Sequence, residues 1–167
     1  MSRLRFHLFL CVLLLIAAAP ALEAAIKGTG LPLPRYVSLR AGEVNLRTGP
    51  GVQYPVDWVY LRRNLPMEII AEYGTWRKVR DWQGTQGWVH QSMVSGLRTL
   101  IVTGKTRTVR HKADAQSKPI ATLEAGVIGK LISCPDLNGW CRVDVAGKKG
   151  WLRRVDFWGV LKNEIME

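Results

Sequence analysis

Acidic side chains are scarce in this chain: 13, against 24 lysines and arginines, give a formal net charge of +11 in 167 residues. Paired carboxylates for acid–base catalysis are correspondingly hard to find. Asp81, Asp114, Asp136 and Asp156 all fall in or beside turn-rich segments. No Gly-x-Ser-x-Gly occurs, which removes the nucleophile elbow of a serine hydrolase. The three cysteines and three histidines are too few and too scattered for a zinc site, because His90 and His111 do not share the local spacing of Cys134 and Cys141. After residue 25 no stretch holds a sustained helical period, apart from a short tail around Leu161 to Met166. No cofactor and no metal are expected, and the chain is not expected to be an enzyme.

Only one long apolar run is present, and it sits at the start. Arg3 and Arg5 precede the run Leu8 to Ala19, and small residues follow at Ala19-Pro20-Ala21 and again at Leu22-Glu23-Ala24. This pattern reads as a signal peptide, residues 1–21, cleaved near Ala21 or Ala24. The other reading, an uncleaved membrane anchor, suffers because the run is shorter than the ~20 residues that span a bilayer comfortably. Cys11 lies inside the run, which is a poor place for lipidation. A periplasmic or secreted location is therefore expected. Cleavage removes two of the 24 basic residues and none of the 13 acidic ones, leaving about +9. Such a charge favours an anionic partner or surface, and because the chain is expected to be exported, no nucleic acid is expected as a partner.

Two cysteines then remain, an even number in an oxidising compartment. Between Cys134 and Cys141 runs Pro135-Asp136-Leu137-Asn138-Gly139, which is turn chemistry. Strands leaving that turn would place the two sulfurs side by side, and a disulfide is expected. The chain-entropy model gives about 2.5 kcal/mol for so short a loop.

The most informative pattern is a long-range echo. Trp76 recurs at Trp140 and Trp88 at Trp151, sixty-four and sixty-three positions later. Thr75-Trp76-Arg77-Lys78-Val79 lies over Gly139-Trp140-Cys141-Arg142-Val143, and Gly87-Trp88-Val89 over Gly150-Trp151-Leu152. Upstream, Val37-Ser38-Leu39 lies over Leu100-Ile101-Val102, and Leu46-Arg47 over Val109-Arg110. A constant offset with a single-residue slip means two copies of a unit of roughly sixty residues. Within each copy, short β-branched and aromatic runs alternate with turn residues every eight to twelve positions, which predicts a small all-β barrel. The expected organisation is an extended linker at 22–35, a first unit at 36–96, a second at 97–160 and a tail at 161–167. Each unit alone buries little, so packing of one on the other is expected to add stability. The run Leu97 to Thr103 has no breaker, which predicts a tight join.

Three blocks of the first copy carry a family resemblance. Val44-Asn45-Leu46-Arg47-Thr48-Gly49-Pro50-Gly51, Trp76-x-Lys78-Val79 and Gly84-x-x-Gly87-Trp88-Val89 resemble the bacterial Src-homology-3-like (SH3b) domain, in order and in spacing. The second copy keeps Gly139-Trp140-x-Arg142-Val143 and Gly147-x-x-Gly150-Trp151-Leu152, but has His111-Lys112-Ala113-Asp114 in place of the Gly-Pro-Gly turn. Tyr54-Pro55-Val56-Asp57-Trp58-Val59 with Gly87 to Ser92 is similar to exported tandem SH3-like proteins of Gram-negative bacteria. The resemblance covers about Tyr36 to Val160. It implies an SH3-like barrel of five to six strands, written twice, and it brings no settled activity.

Candidate binding residues follow from two arguments. Along Trp76 to Trp82, alternation puts Trp76, Lys78, Arg80 and Trp82 on one side, and Arg77, Val79 and Asp81 on the other. Two indoles among two cations suit sugar rings or anionic groups. The resemblance adds a groove: the SH3 peptide site corresponds here to Trp76, His90 and Met93, and in the second copy to Trp140, Arg153 and Asp156. His90 and Met93 stand where peptide-binding SH3 domains carry Pro and Tyr, which points away from proline-rich ligands. Trp88 is expected to be structural, and Arg62-Arg63 and Lys148-Lys149 to be basic loop tips. The leading functional expectation is attachment to the cell envelope, through peptidoglycan or its peptides. The alternative is a periplasmic adaptor that docks an acidic or extended protein segment.

Overall fold

The computed structural model describes residues 28–137 and 139–167. The segment expected to be a signal peptide, Cys11, the start of the linker and Asn138 lie outside the described residues. Fourteen strands follow in order: β1 Arg35–Leu39, β2 Val44–Arg47, β3 Val56–Tyr60, β4 Pro66–Tyr73, β5 Trp76–Arg80, β6 Gln86–His90, β7 Val94–Ser95, β8 Thr99–Val102, β9 Arg107–Arg110, β10 Pro119–Leu123, β11 Ile128–Ser133, β12 Trp140–Val145, β13 Lys148–Arg153 and β14 Phe157–Trp158. Single 3-10 turns, Gln91–Met93 and Arg154–Asp156, precede β7 and β14.

These strands form two antiparallel sheets with one topology. The first runs β3-β2-β6-β5-β4-β1-β7, and the second β10-β9-β13-β12-β11-β8-β14. Adding seven to each label of the first order gives the second. The duplication read from the two tryptophan pairs is therefore a duplication of fold. Each unit has seven strands rather than five to six, the two-residue strands β7 and β14 included. Leu39, Val44, Leu46, Met67, Ile69, Val79 and Val89 come from the middle and the margins of one sheet, yet they form a single buried cluster. A sheet whose distant strands share one core must roll up on itself, as a small barrel does. Val109, Leu131, Val143 and Leu152 anchor the equivalent cluster of the second unit.

The repeated Gly-Trp pairs have a common cause. A Cβ on Gly87 would lie 2.5 Å from Leu46 Cγ and 2.9 Å from Arg47 O, and one on Gly150 would lie 2.5 Å from Val109 Cγ1 and 2.7 Å from Arg110 O. The sixth strand of each unit crosses the second too closely for any side chain. The repeated arginine beside that crossing also has one role twice. Arg47 Nη1 donates to Val52 O and Tyr54 O, and Arg110 Nη1 donates to Ser117 O. Each guanidinium thus gathers the loop that follows its own strand.

At another equivalent place the chemistry differs. In the first unit Glu72 faces Arg77 across β4 and β5, after a bulge between Ile69 and Ala71. Arg77 Nε sits 3.1 Å from Glu72 Oε1, and both side chains are buried. In the second unit the matching bulge falls between Leu131 and Ser133, and the next facing pair is Cys134 and Cys141, which are disulfide-bonded. An ion pair in one copy is a covalent bond in the other. The tail is not helical. It pairs antiparallel with Cys134 through Met166, because buried Arg154 donates to Leu161 O and Glu164 O and draws the tail across the disulfide.

The two units are joined by a shared strand. In β8, Leu100 and Val102 belong to the second core, whereas Ile101 belongs to the first. Period-two alternation sends opposite faces of one strand into different cores. Ile128 and Trp158 pack against the first core as well. The Trp158 ring meets Tyr36 edge-on at 4.7 Å, and Arg62 Nη2 donates to Gly126 O at 2.9 Å.

Candidate functional site

On the first unit, β5 is inward at Arg77 and Val79 and outward at Trp76, Lys78 and Arg80. The outward row is extended by direct cross-strand neighbours, since Trp76 faces His90, and Lys78 faces Trp88. Trp88 in turn faces Arg47 on β2. Trp76 and His90 touch edge to face, with ring centroids 5.5 Å apart at 78°. His90 Nδ1 lies 2.8 Å from Ser92 Oγ and accepts from Ser92 N, so the imidazole is fixed as the cap of the 3-10 turn that carries Met93.

These groups line one cleft of about 250 Å³. Trp76, His90 and Met93 form one wall, and Glu43, Asn45, Arg47 and Val52 form the other. The structure thus brings together the three groove residues drawn from the SH3 resemblance. Lys78 lies in the neighbouring cross-strand row, beside Trp88. Arg80 is exposed and committed to Glu68, with Nε at 2.8 Å and Nη2 at 2.5 Å from one carboxylate oxygen. Trp82 lies in the turn beyond β5, where it is half-buried against the first core. Sequence reasoning missed the opposite wall. The repeated Leu46-Arg47 and the Gly-Pro-Gly turn marked it, because a strand that feeds a tight turn brings its outer residues to the cleft edge.

The indole face, thioether and valine offer apolar contact, and Arg47 and Glu43 offer both signs of charge at the rim. This is the makeup of a recognition cleft, apolar with a few placed polar groups. It holds no activated nucleophile. Among the described residues, no group of three His, Cys, Asp or Glu side chains is placed to hold a metal ion.

Shifted ionisations lie in the framework instead. Burial raises the Tyr60 phenol, and its hydrogen bond to Asp81 Oδ2 at 2.9 Å raises it further. Asp81 also accepts from Gln83 N and Thr85 N, so it shapes the β5–β6 turn. Burial alone would raise Glu72, but hydrogen bonds from Arg35 and Thr29 outweigh it and bring the carboxyl to about 2.

The equivalent face of the second unit is chemically different. The positions of His90 and Met93 hold Arg153 and Asp156. Asp156 is bound to Arg107 at 2.8 Å. Trp151 faces Arg142 on one side and Arg110 on the other, repeating the indole between two cations made by Arg47, Trp88 and Lys78.

The family model described as a bacterial SH3 domain matches residues 40–96 and again 104–159. No curated protein matches the chain. Among solved structures, NlpC2 and NlpC1 from Trichomonas vaginalis are similar at 10% and 8% identity, each with a TM-score of 0.35. They cover 78% and 81% of this chain, and the chain spans about half of theirs, 50% and 49%.

Proposed function

This chain belongs to the bacterial SH3 domain family, in two copies, and on that premise we propose an exported, non-catalytic protein that attaches to the cell envelope through peptidoglycan or its peptides. Bacterial SH3 domains commonly bind cell-wall polymers. The observation that carries the proposal is the cleft of the first unit, where Trp76, His90 and Met93 oppose Asn45, Arg47 and Val52. An indole wall stacks on sugar or peptide planes, and the rim charges orient groups of either sign. The net positive charge of the chain adds long-range attraction to phosphate-bearing surfaces, an attraction that weakens with salt.

Pelleting with purified sacculi tests this. A central tryptophan in a binding cleft is commonly worth about 2 kcal/mol, or ~30-fold in affinity. Trp76→Ala should lose binding by that order at every salt concentration, while Arg63→Ala should alter only the salt dependence. Equal pelleting of the wild type and Trp76→Ala would overturn the proposal.

A second reading is favoured by β3. It is a sheet edge on which Val56, Trp58 and Val59 are all exposed, Trp58 at 56%. An exposed apolar edge accepts an added strand, which suits an adaptor that docks an extended protein segment. Absence of sacculus binding at any salt would favour this reading.

A further inference from the structure

The junction between the units encloses a second recess that shares no residue with the Trp76 cleft. Its volume is about 410 Å³, within the range of small-ligand sites. One wall is Asn64, from the loop between β3 and β4 of the first unit, and the other is the outer face of the second sheet. Across that face a row of direct cross-strand partners runs from Thr99 on β8 to Lys130 on β11 to Asp144 on β12. Ile128, two residues before Lys130 and on the same face, packs against the first core and closes the apolar end.

Three features of this row bear on what the recess can hold. Thr99 is 2% exposed, and its Oγ1 has no hydrogen-bond partner among the described residues. Lys130 and Asp144 are opposite charges facing each other across two strands, yet they form no ion pair among the described residues. Asp144 uses Oδ1 to accept from Gly147 N at 2.9 Å, which holds the hairpin turn. Its other oxygen makes no bond within the protein among the described residues.

From this juxtaposition of an unpartnered hydroxyl, an unpaired ammonium and a half-used carboxylate in one recess, we propose that the junction binds a short zwitterionic peptide of dipeptide size. The ligand carboxylate meets Lys130, its ammonium meets Asp144, its amide meets Thr99 and Asn64, and a small apolar side chain rests on Ile128. Facing side chains on adjacent strands stand about 5 Å apart at Cβ. The termini of an extended dipeptide reach up to about 7 Å, which spans the pair. Both units contribute, so the recess exists only where the two are locked together.

Titration of the full chain with Ala-Ala, followed by calorimetry and amide NMR shifts, tests the proposal. Saturable binding is expected, and N-acetyl-Ala-Ala and Ala-Ala amide should each bind at least tenfold more weakly. Asp144→Asn keeps the acceptor for Gly147 N and removes the charge. It should weaken Ala-Ala about tenfold and leave N-acetyl-Ala-Ala unchanged. Lys130→Gln, at an exposed position, should weaken Ala-Ala about tenfold and leave Ala-Ala amide unchanged. Absence of saturable binding, equal binding of the blocked peptides, or insensitivity to either variant would overturn the assignment. Sacculus pelleting reads the other cleft, so the two proposals fail separately.

Discussion

Ile101 is numbered with the second unit and buried in the first, and this makes it the sharpest probe of how the two are coupled. It is fully buried, pairs across β8 with Ile128 and Trp158, and joins the cluster built on Leu39, Met67 and Val79. Truncation to alanine removes three carbons from a site that two sheets hold in place, so the cavity has little freedom to collapse. Buried Ile→Ala substitutions cost about 2–5 kcal/mol, and the constrained setting puts Ile101→Ala in the middle, at about 3 kcal/mol. For a cooperative unit of this size that lowers the melting temperature by roughly 10 °C. Direction matters more than size. Hydrogen exchange should accelerate at amides of β5 and β6, in the first unit, as well as in β8. Acceleration confined to β8–β14, or a loss below about 1 kcal/mol, would refute a shared core and leave the units merely adjacent.

Other substitutions separate framework from cleft. Gly87→Ala drives a methyl into Leu46 and the Arg47 carbonyl, and should destabilise the first unit by several kcal/mol in urea unfolding, about 3 by analogy with overpacked cores. Reduction of Cys134–Cys141 should cost the second unit about 2.5 kcal/mol, visible as faster exchange in β11 and β12 with the first-unit amides unchanged. The Glu72 carboxyl, held at about 2 against an ordinary 4.5, contributes stability that is complete above pH 4.5 and lost as pH falls toward 2. Screened by solvent, that contribution is about 1 kcal/mol, and Glu72→Gln should flatten the acid dependence of first-unit amides across that window.

The fold was legible because its constraints are local and repeated. Gly87 and Gly150 have no tolerated alternative at a strand crossing, Arg47 and Arg110 each tie down a loop, and Val79 and Val143 point inward by simple alternation. Such positions keep their identity in both copies, and the offset exposes them. The cleft was half legible. Its β5 and β6 wall follows from strand alternation and the family groove, whereas Glu43, Asn45 and Val52 join it only through the path of β2 and its turn, which no periodicity encodes. Trp82 shows the limit of alternation. The strand ends at Arg80, and the turn beyond it rotates the indole onto the core. The role of Ile101 was hidden for another reason, because an unbroken apolar run does not say which core each face serves.

Divergence between the copies follows a physical logic that bears on which one binds. In the first unit buried Arg77 is held by Glu72, by the Gly74 carbonyl and by Gln91 Oε1 at 2.7 Å. In the second, the inward position of Arg77 is Cys141, and the position of Gln91 is Arg154, whose Nη1 lies 3.9 Å from Cys141 Sγ. The guanidinium has moved from strand to turn, and the disulfide has taken over the bond across the strands. Freed from that strand, Arg154 reaches the Asp136, Leu161 and Glu164 carbonyls. It thereby seats the tail, while Glu164 binds Arg98. The second copy therefore spends its polar groups on closing the fold, Asp156 included. The first leaves Trp76, Met93 and Val52 lining an open cleft. Ligand recognition by the Trp76 groove is thus expected from the first copy, with Trp140→Ala leaving sacculus binding within about twofold of wild type. A loss equal to that of Trp76→Ala would mean that both copies bind, and that the polar closure of the second does not exclude a ligand.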